Sequence, residues 1–122
     1  QYYPVKRTIS LCITDFGVGI LSNLKRKYGV TTDVDAIKLS VKEGVTSRPQ
    51  SAGFGLSNIR NFLKVNEGTL TIISGRGKIN FYSNKVKSYN MAKGFEGTIV
   101  NLKIYANKES FYFLTSEKEY LF

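Results

Sequence analysis

Arg7-Thr8-Ile9-Ser10-Leu11-Cys12-Ile13-Thr14 runs directly into Asp15-Phe16-Gly17-Val18-Gly19-Ile20, and these fourteen residues decide the fold. Ile9, Leu11 and Ile13 alternate with Thr8, Ser10, Cys12 and Thr14, the period of a strand with one buried face. The strand ends in a carboxylate followed by two glycines. Glycines permit positive φ and a close backbone approach to a ligand. A carboxylate at a strand end, facing a pocket, accepts hydrogen bonds from an amine such as that of adenine. A tight turn with a solvent-exposed Asp15 is the plainer reading of the same residues.

Downstream, Ile20 to Lys27 predicts a short helix ended by Gly29. Thr32 or Asp33 caps a second helix running to about Glu43, with Val34, Ile37 and Val41 on one face and Gly44 at its end. Val45 to Phe54 reads as a loop. Gly55 opens a third helix to about Val65, whose Leu56, Ile59 and Leu63 share a face with Phe62 beside them. Gly68 begins a strand, Thr69 to Ser74. Gly75-Arg76-Gly77 is a hairpin loop, and Lys78 to Tyr82 is the return strand. Ser83 to Gly94 is polar and Lys-rich and reads as an exposed loop. Thr98 to Tyr105 is the last strand, with Val100, Leu102 and Ile104 on one face. Asn107 to Phe122 reads as a docking tail, an added strand or the start of a further element. The expected architecture is α/β: a two-layer sandwich with a mixed, mostly antiparallel sheet and helices on one face. Residues 1–106 form the domain and 107–122 a C-terminal extension.

The 122 residues suffice for one domain. The net charge of +9 favours polyanionic partners, among them nucleotide phosphate, nucleic acid and anionic membrane. The densest basic cluster, Lys25-Arg26-Lys27, is too short for a nucleic-acid arm, and most lysines read as solvated surface. The chain has no His and one cysteine, Cys12, which excludes His-based triads, His-containing zinc sites and an internal disulfide. Cys12 lies in an apolar stretch and is expected to be a small core residue. No run of 18 apolar residues and no signal peptide is present, so the expected location is cytoplasmic, with no membrane partner.

Two further glycine signals follow. Gly53-Phe54-Gly55-Leu56 stands at a helix start, where free backbone N–H groups and the helix dipole attract anions. It is not a P-loop, because no Gly-Lys-Ser/Thr follows. It is not a dinucleotide fingerprint either, because Asn58 occupies the last glycine position. Gly97-Thr98 enters the last strand after Phe95-Glu96.

Together, in this order, the three resemble the GHKL superfamily: gyrase-type topoisomerases, heat-shock chaperones, histidine kinases and MutL. Asp15-Phe16-Gly17-Val18-Gly19-Ile20 is similar to its first glycine box, DxGxGI. Gly53-Phe54-Gly55-Leu56 is similar to its second, GxGL, and Phe95-Glu96-Gly97-Thr98 to its closing segment. The likeness covers roughly residues 6 to 105 and is nearest to the histidine-kinase-like and stand-alone regulatory ATPases. It implies a Bergerat (histidine-kinase-like ATPase) fold holding ATP. Asp15 would bind the adenine amine. Gly17, Gly19 and Ile20 would shape the adenine pocket and the start of a lid over about 21 to 52. Gly53, Phe54, Gly55 and Leu56 would hold phosphate, and Thr98 would lie near adenine. Lys25, Arg26, Lys27, Lys38, Lys42 and Arg48 lie in that lid, with Arg48 the first choice for a phosphate contact.

The chain departs from the family at its start. A further box, on a helix before the first glycine box, carries an Asn that helps to hold Mg²⁺, and in hydrolases a Glu that activates water. Fourteen residues precede Asp15, none is Asn, and Gln1 to Pro4 make no helix. Mg²⁺ is expected with ATP, yet its usual ligand is absent, and neither metal ligands nor catalytic residues are assigned. Either the chain is a truncated piece, as the absent Met suggests, or the domain is degenerate. Apolar surface left bare by the missing helix predicts a homodimer, or cover from Phe111 to Phe122. The functional expectation is an ATP-binding, kinase-like domain of a signalling protein, with a protein partner or phosphoacceptor elsewhere. An ATP-gated clamp of the topoisomerase, chaperone or MutL type, and a basic nucleic-acid-binding module, are the alternatives. Losing a Mg²⁺ ligand impairs phosphoryl transfer more than adenine recognition. A steady-state phosphate-release assay on this chain is therefore expected to give background rates.

Overall fold

The computed structural model describes residues 2–3, 8–42 and 55–105. Its elements in chain order are β1 (Tyr2–Tyr3), β2 (Thr8–Asp15), α1 (Gly19–Tyr28), α2 (Asp33–Ser40), α3 (Gly55–Val65), β3 (Gly68–Phe81) and β4 (Val86–Tyr105). The described residues are mixed α/β, with three helices and a sheet ordered β1-β2-β4-β3. Every ladder between these strands is antiparallel, where a mixed, mostly antiparallel sheet was expected. Among the described residues no helix is long and apolar enough to cross a membrane.

The helices begin and end where local chemistry directs. Lys25, Arg26 and Lys27 occupy the last turn of α1, at the negative end of its dipole. Gly29 follows in the left-handed conformation, with its N–H on the Lys25 carbonyl at 2.9 Å. Of the two candidate caps of α2, Thr32 is the one used: its Oγ1 accepts from the Asp35 N–H at 3.1 Å. Helix α2 stops at Ser40, short of Glu43, and the Ser40 hydroxyl donates to the Ile37 carbonyl at 2.7 Å. Glu43 and Gly44 lie outside the described residues.

Strand β3 is a single extended segment by its backbone, yet it is not straight. Thr71 Oγ1 and Asn80 Oδ1 are 2.8 Å apart across nine positions. Nine residues of straight strand span about 30 Å. Helix α3 touches both ends as well: Leu63 meets Gly68, and Arg60 Nη1 donates to the Tyr82 carbonyl at 2.7 Å. The segment therefore doubles back at Gly75-Arg76-Gly77, where the ladder with β4 shifts register and Gly75 has φ 58°. The hairpin loop expected at Gly75-Arg76-Gly77 is thus corrected to a sharp bend within one continuous strand, and residues 68–74 and 77–81 each pair with β4. A side chain on Gly75 would collide with the Asp33 carboxylate, and one on Gly77 would come within 2.9 Å of the Asp33–Val34 peptide. The two glycines thus let the bend take the N-terminus of α2 against it.

Strand β4 follows β3 on both sides of this bend. Residues 98–104 pair with 68–74, and 86–90 pair with 77–81. The loop expected over Ser83 to Gly94 is corrected accordingly. The turn is confined to Tyr82–Lys85, closed by Tyr82 N–H on the Lys85 carbonyl at 2.9 Å, and Val86 onward is extended. The residues before Phe95 show little burial, and Lys85, Lys87 and Lys93 are exposed. A polar edge strand has no apolar alternation to betray it, and its lysines discourage pairing with another chain.

The core is Ile37, Leu63, Leu70, Ile72, Ile79 and Phe81, with Ile20, Val34, Val41, Leu56, Ile59, Val100 and Leu102 packed against it. The apolar faces expected for α2 and α3 are the faces buried. Helix α2 contributes Ala36 and Ile37, both 0% exposed, so much of the expected lid is core-forming structure.

Register defines what remains bare. Ile9, Leu11 and Ile13 stand opposite Ile104, Leu102 and Val100, which stand opposite Gly68, Leu70 and Ile72. All share one face of the sheet. Leu70 and Ile72 are fully covered, whereas Leu11 is 52% and Ile13 58% exposed. Cys12, on the opposite face with Ser10 and Thr14, is exposed and not a core residue. The alternation of β2 was legible, but its apolar face is the uncovered part of the sheet. In urea denaturation, Ile37→Ala is expected to cost about 2–5 kcal/mol and Leu11→Ala about 1 kcal/mol or less. Equal costs would mean that the strip is covered in solution.

Candidate functional site

The polar end of this sheet face is one row across three strands: Asp15 on β2, Thr98 on β4 and Ser74 on β3. Asp15 ends β2, exposed, and its Oδ1 accepts from the Gly17 N–H at 2.9 Å. That bond curls Asp15-Phe16-Gly17 into an Asx-type turn and fixes the carboxylate. The exposed Phe16 ring lies 5.7 Å from the Phe95 ring, tilted, clasping the turn to β4. Gly97 has φ 121°, and a Cβ there would land on the Asp15 carbonyl oxygen and 2.9 Å from Phe16 Cα. The Gly-Thr pair, weak as a sequence signal, is thus required for the end of β2 to lie against β4.

Ser74 is 1% exposed and joins three elements. Its Oγ accepts from the Ile20 N–H at 2.8 Å, donates to the Gly97 carbonyl at 3.2 Å and lies 3.3 Å from Thr98 Oγ1. Helix α1 has no side-chain cap of its own at Val18. Ser74 satisfies one of its unpaired first-turn N–H groups from across the fold, doing the work of an N-cap. Asp33 acts similarly at the bend in β3, accepting from the Arg76 N–H at 3.0 Å.

A cleft of about 450 Å³ opens beside the turn, lined by Gly17, Val18, Gly19, Ser22, Asp33, Gly75, Phe95, Glu96 and Gly97. Its charged lining groups are Asp33 and Glu96, so it disfavours phosphate. Asp15 does not line it; its carboxylate stands at the end of the bare strip instead, on the face that carries Ile13 and Val100.

The structure therefore brings together Asp15, Gly17, Gly19, Ile20 and Thr98 from the expected site. Leu56 packs against the hydrophobic core and lines neither the cleft nor the strip. Gly55 begins α3, and Arg48, Gly53 and Phe54 lie outside the described residues. Of the lid cations, Lys25, Arg26 and Lys27 close α1, while Lys38 and Lys42 line a different cleft. Sequence reasoning missed Ser74 and Asp33. A serine continuing a strand alternation looks like any half-buried residue, and nothing local announces a bond to a helix 54 positions away.

Among the described residues no three His, Cys, Asp or Glu side chains group as metal ligands. The exposed carboxylates here are consistent with hydrogen bonding to a donor and do not form a Mg²⁺ cage.

Comparison with protein-family models, with curated proteins and with solved structures gives no match.

Ser74→Ala removes the acceptor for the Ile20 N–H and leaves a half-buried donor without that partner. A loss of about 1–3 kcal/mol is expected, with faster amide exchange at Ile20 than at core positions such as Leu63. Unchanged stability and exchange would show that α1 is held by other contacts.

Proposed function

We propose that this chain is an adenine-nucleotide-binding domain that holds ATP within a kinase-like signalling or regulatory protein, on a two-layer sandwich of the Bergerat type. The observation that carries the reading is the placing of the Asp15 carboxylate at the end of a bare apolar strip, beside the Thr98 hydroxyl. A purine needs an apolar surface for its ring and a fixed acceptor for its amine. Ile13 and Val100 supply the surface. The Gly17 N–H anchors one oxygen of Asp15, and the other is directed to the ligand amine. Thr98 supplies a hydroxyl within the same row.

The chemistry of this corner sets specificity. A carboxylate accepts from the adenine amine but repels the carbonyl that guanine presents at the same position. Sites built to bond one polar group reject analogues lacking it, because a polar group is left unpaired. The phosphates lead away from the acidic cleft of Asp33 and Glu96. Arg48 and the Gly53-Phe54-Gly55-Leu56 segment remain the proposed phosphate-holding groups. Transfer of a phosphoryl group would then go to a residue of a partner protein. A phosphohistidine would lie outside this sequence, which contains no His. The bare strip also supports contact with a further protein element, a second copy of the chain included.

Thermal unfolding with and without excess nucleotide tests the reading. ATP or adenosine at about 100 times its dissociation constant stabilises by about 2.7 kcal/mol. Asp15→Asn is expected to abolish the adenosine shift, and guanosine is expected to give none. An adenosine shift of equal size in Asp15→Asn would place adenine elsewhere, and no shift with adenosine or ATP in the unaltered protein would overturn the proposal.

A further inference from the structure

A second cleft, of about 480 Å³, lies at the other end of α2 and shares no lining residue with the cleft beside the glycine turn. Its walls are the end of α2, one face of α3 and the far end of the β3–β4 hairpin. Helix α3 presents Ser57, Arg60, Asn61 and Lys64 at i, i+3, i+4 and i+7, a single helical face. Lys38 and Lys42 come from the C-terminal turn of α2 and the residues just after it. Four cations therefore converge on one concavity, and among the described residues no Asp or Glu lines it.

Surface lysines ordinarily point apart into water, where a lone charge is fully solvated. Here the charges share a walled space, and like charges so gathered repel within a Debye length of about 10 Å. Arg60 is also held in place. Its Nη1 donates to the Tyr82 carbonyl at 2.7 Å, and its guanidinium lies 5.4 Å from the centre of the Phe81 ring. Phe81 is a core residue, 2% exposed, so the guanidinium rests on a rigid floor. Partial burial lowers the pKa of Arg60, as expected of a desolvated cation. A carbonyl and an aromatic face orient this guanidinium without neutralising it. Among the described residues that line the cleft, no carboxylate balances the charge, and the gathered cations suit an anionic ligand.

We propose that this cleft is a second binding site, independent of the adenine site, which takes a phosphate-bearing small molecule. The fixed guanidinium fork of Arg60 suits two phosphate oxygens, and Lys38, Lys42 and Lys64 gather round as mobile point charges. Ser57 and Asn61 add neutral polar groups. Val41 and Val86 offer apolar contact to the remainder of the ligand. The volume is that of a small-molecule pocket. A nucleic-acid strand is the less suited occupant, since it requires a continuous basic track and this cleft is walled by two helices and a hairpin.

The test is calorimetric titration of the protein with inorganic triphosphate, which lacks a base, at constant ionic strength. The unaltered protein is expected to bind one triphosphate. The triple variant Lys38→Gln/Lys42→Gln/Lys64→Gln is expected to bind at least about tenfold more weakly. A control of equal charge change, Lys25→Gln/Lys93→Gln/Lys103→Gln, should stay within about twofold. Arg60→Lys, which keeps the charge but loses the fork, should weaken binding severalfold, and circular dichroism checks that each variant is folded. Equal weakening in both triple variants, or no binding by the unaltered protein, would overturn the proposal. So would retention of a single-stranded oligonucleotide by a protein that ignores triphosphate. Adenosine carries no phosphate and Asp15→Asn leaves this cleft intact, so the adenine reading and this one fail separately.

Discussion

The hydroxyl of Ser74 is a small group at a junction on which much of the fold depends. It is buried where the first half of β3, the middle of β4 at its register shift and the start of α1 meet. A helix needs its first N–H groups satisfied, and a buried N–H without a partner costs more than most surface contacts return. Because Ser74 meets that need for α1, the turn at Asp15 to Gly19 is held at both ends: by β2 pairing before it and by the anchored helix after it. The position of the Asp15 carboxylate follows from those two anchors. Gly97 completes the arrangement by removing the side chain that would otherwise push the strand end away.

The sheet is covered unevenly, and this unevenness gives the molecule its chemical character. Helices α2 and α3 bury the two arms of β3, where Leu70, Ile72, Ile79 and Phe81 interlock with Ile37 and Leu63. The same face continues over β4, whose Val100 and Leu102 are half-buried, to β2, whose Leu11 and Ile13 are exposed. A domain of this size has little apolar area to spare. Leaving Leu11 and Ile13 half in water is therefore costly unless a ligand, another segment or another protein occupies them. A flat ring with an amine at its edge fits the combination of apolar strip and terminal carboxylate.

Charge is distributed with equal unevenness. The cleft at the glycine turn is lined by carboxylates and the cleft at the far end of α2 by cations, although the chain as a whole carries +9. Helix α2 contributes to both, Asp33 at one end and Lys38 at the other, with Lys42 just beyond it. This is the polarity that the helix dipole favours. A single short helix thus connects two regions that prefer ligand groups of opposite sign.

Much of this architecture was legible in the residue order. Alternation in Thr8 to Thr14 marked β2, and the faces of Val34-Ile37-Val41 and Leu56-Ile59-Leu63 marked the helices, while Gly75-Arg76-Gly77 marked a bend in β3 and not the expected hairpin loop. Each is a local pattern imposed by backbone period or by the conformational freedom of glycine. The polar strand from Val86 was missed because it has no buried face to generate a pattern. Cys12 was misplaced because an apolar neighbourhood in sequence does not say which face is covered. The sequence by itself determined the helices, the strand β2, the order of the glycine turns and the overall charge. Only tertiary structure decided that Ser74 caps α1, that Asp15 and Thr98 stand side by side, that the apolar face of β2 lies bare, and that Lys38, Lys42, Arg60 and Lys64 converge. The physical reason is that these depend on register and on packing between distant segments, which no local propensity encodes.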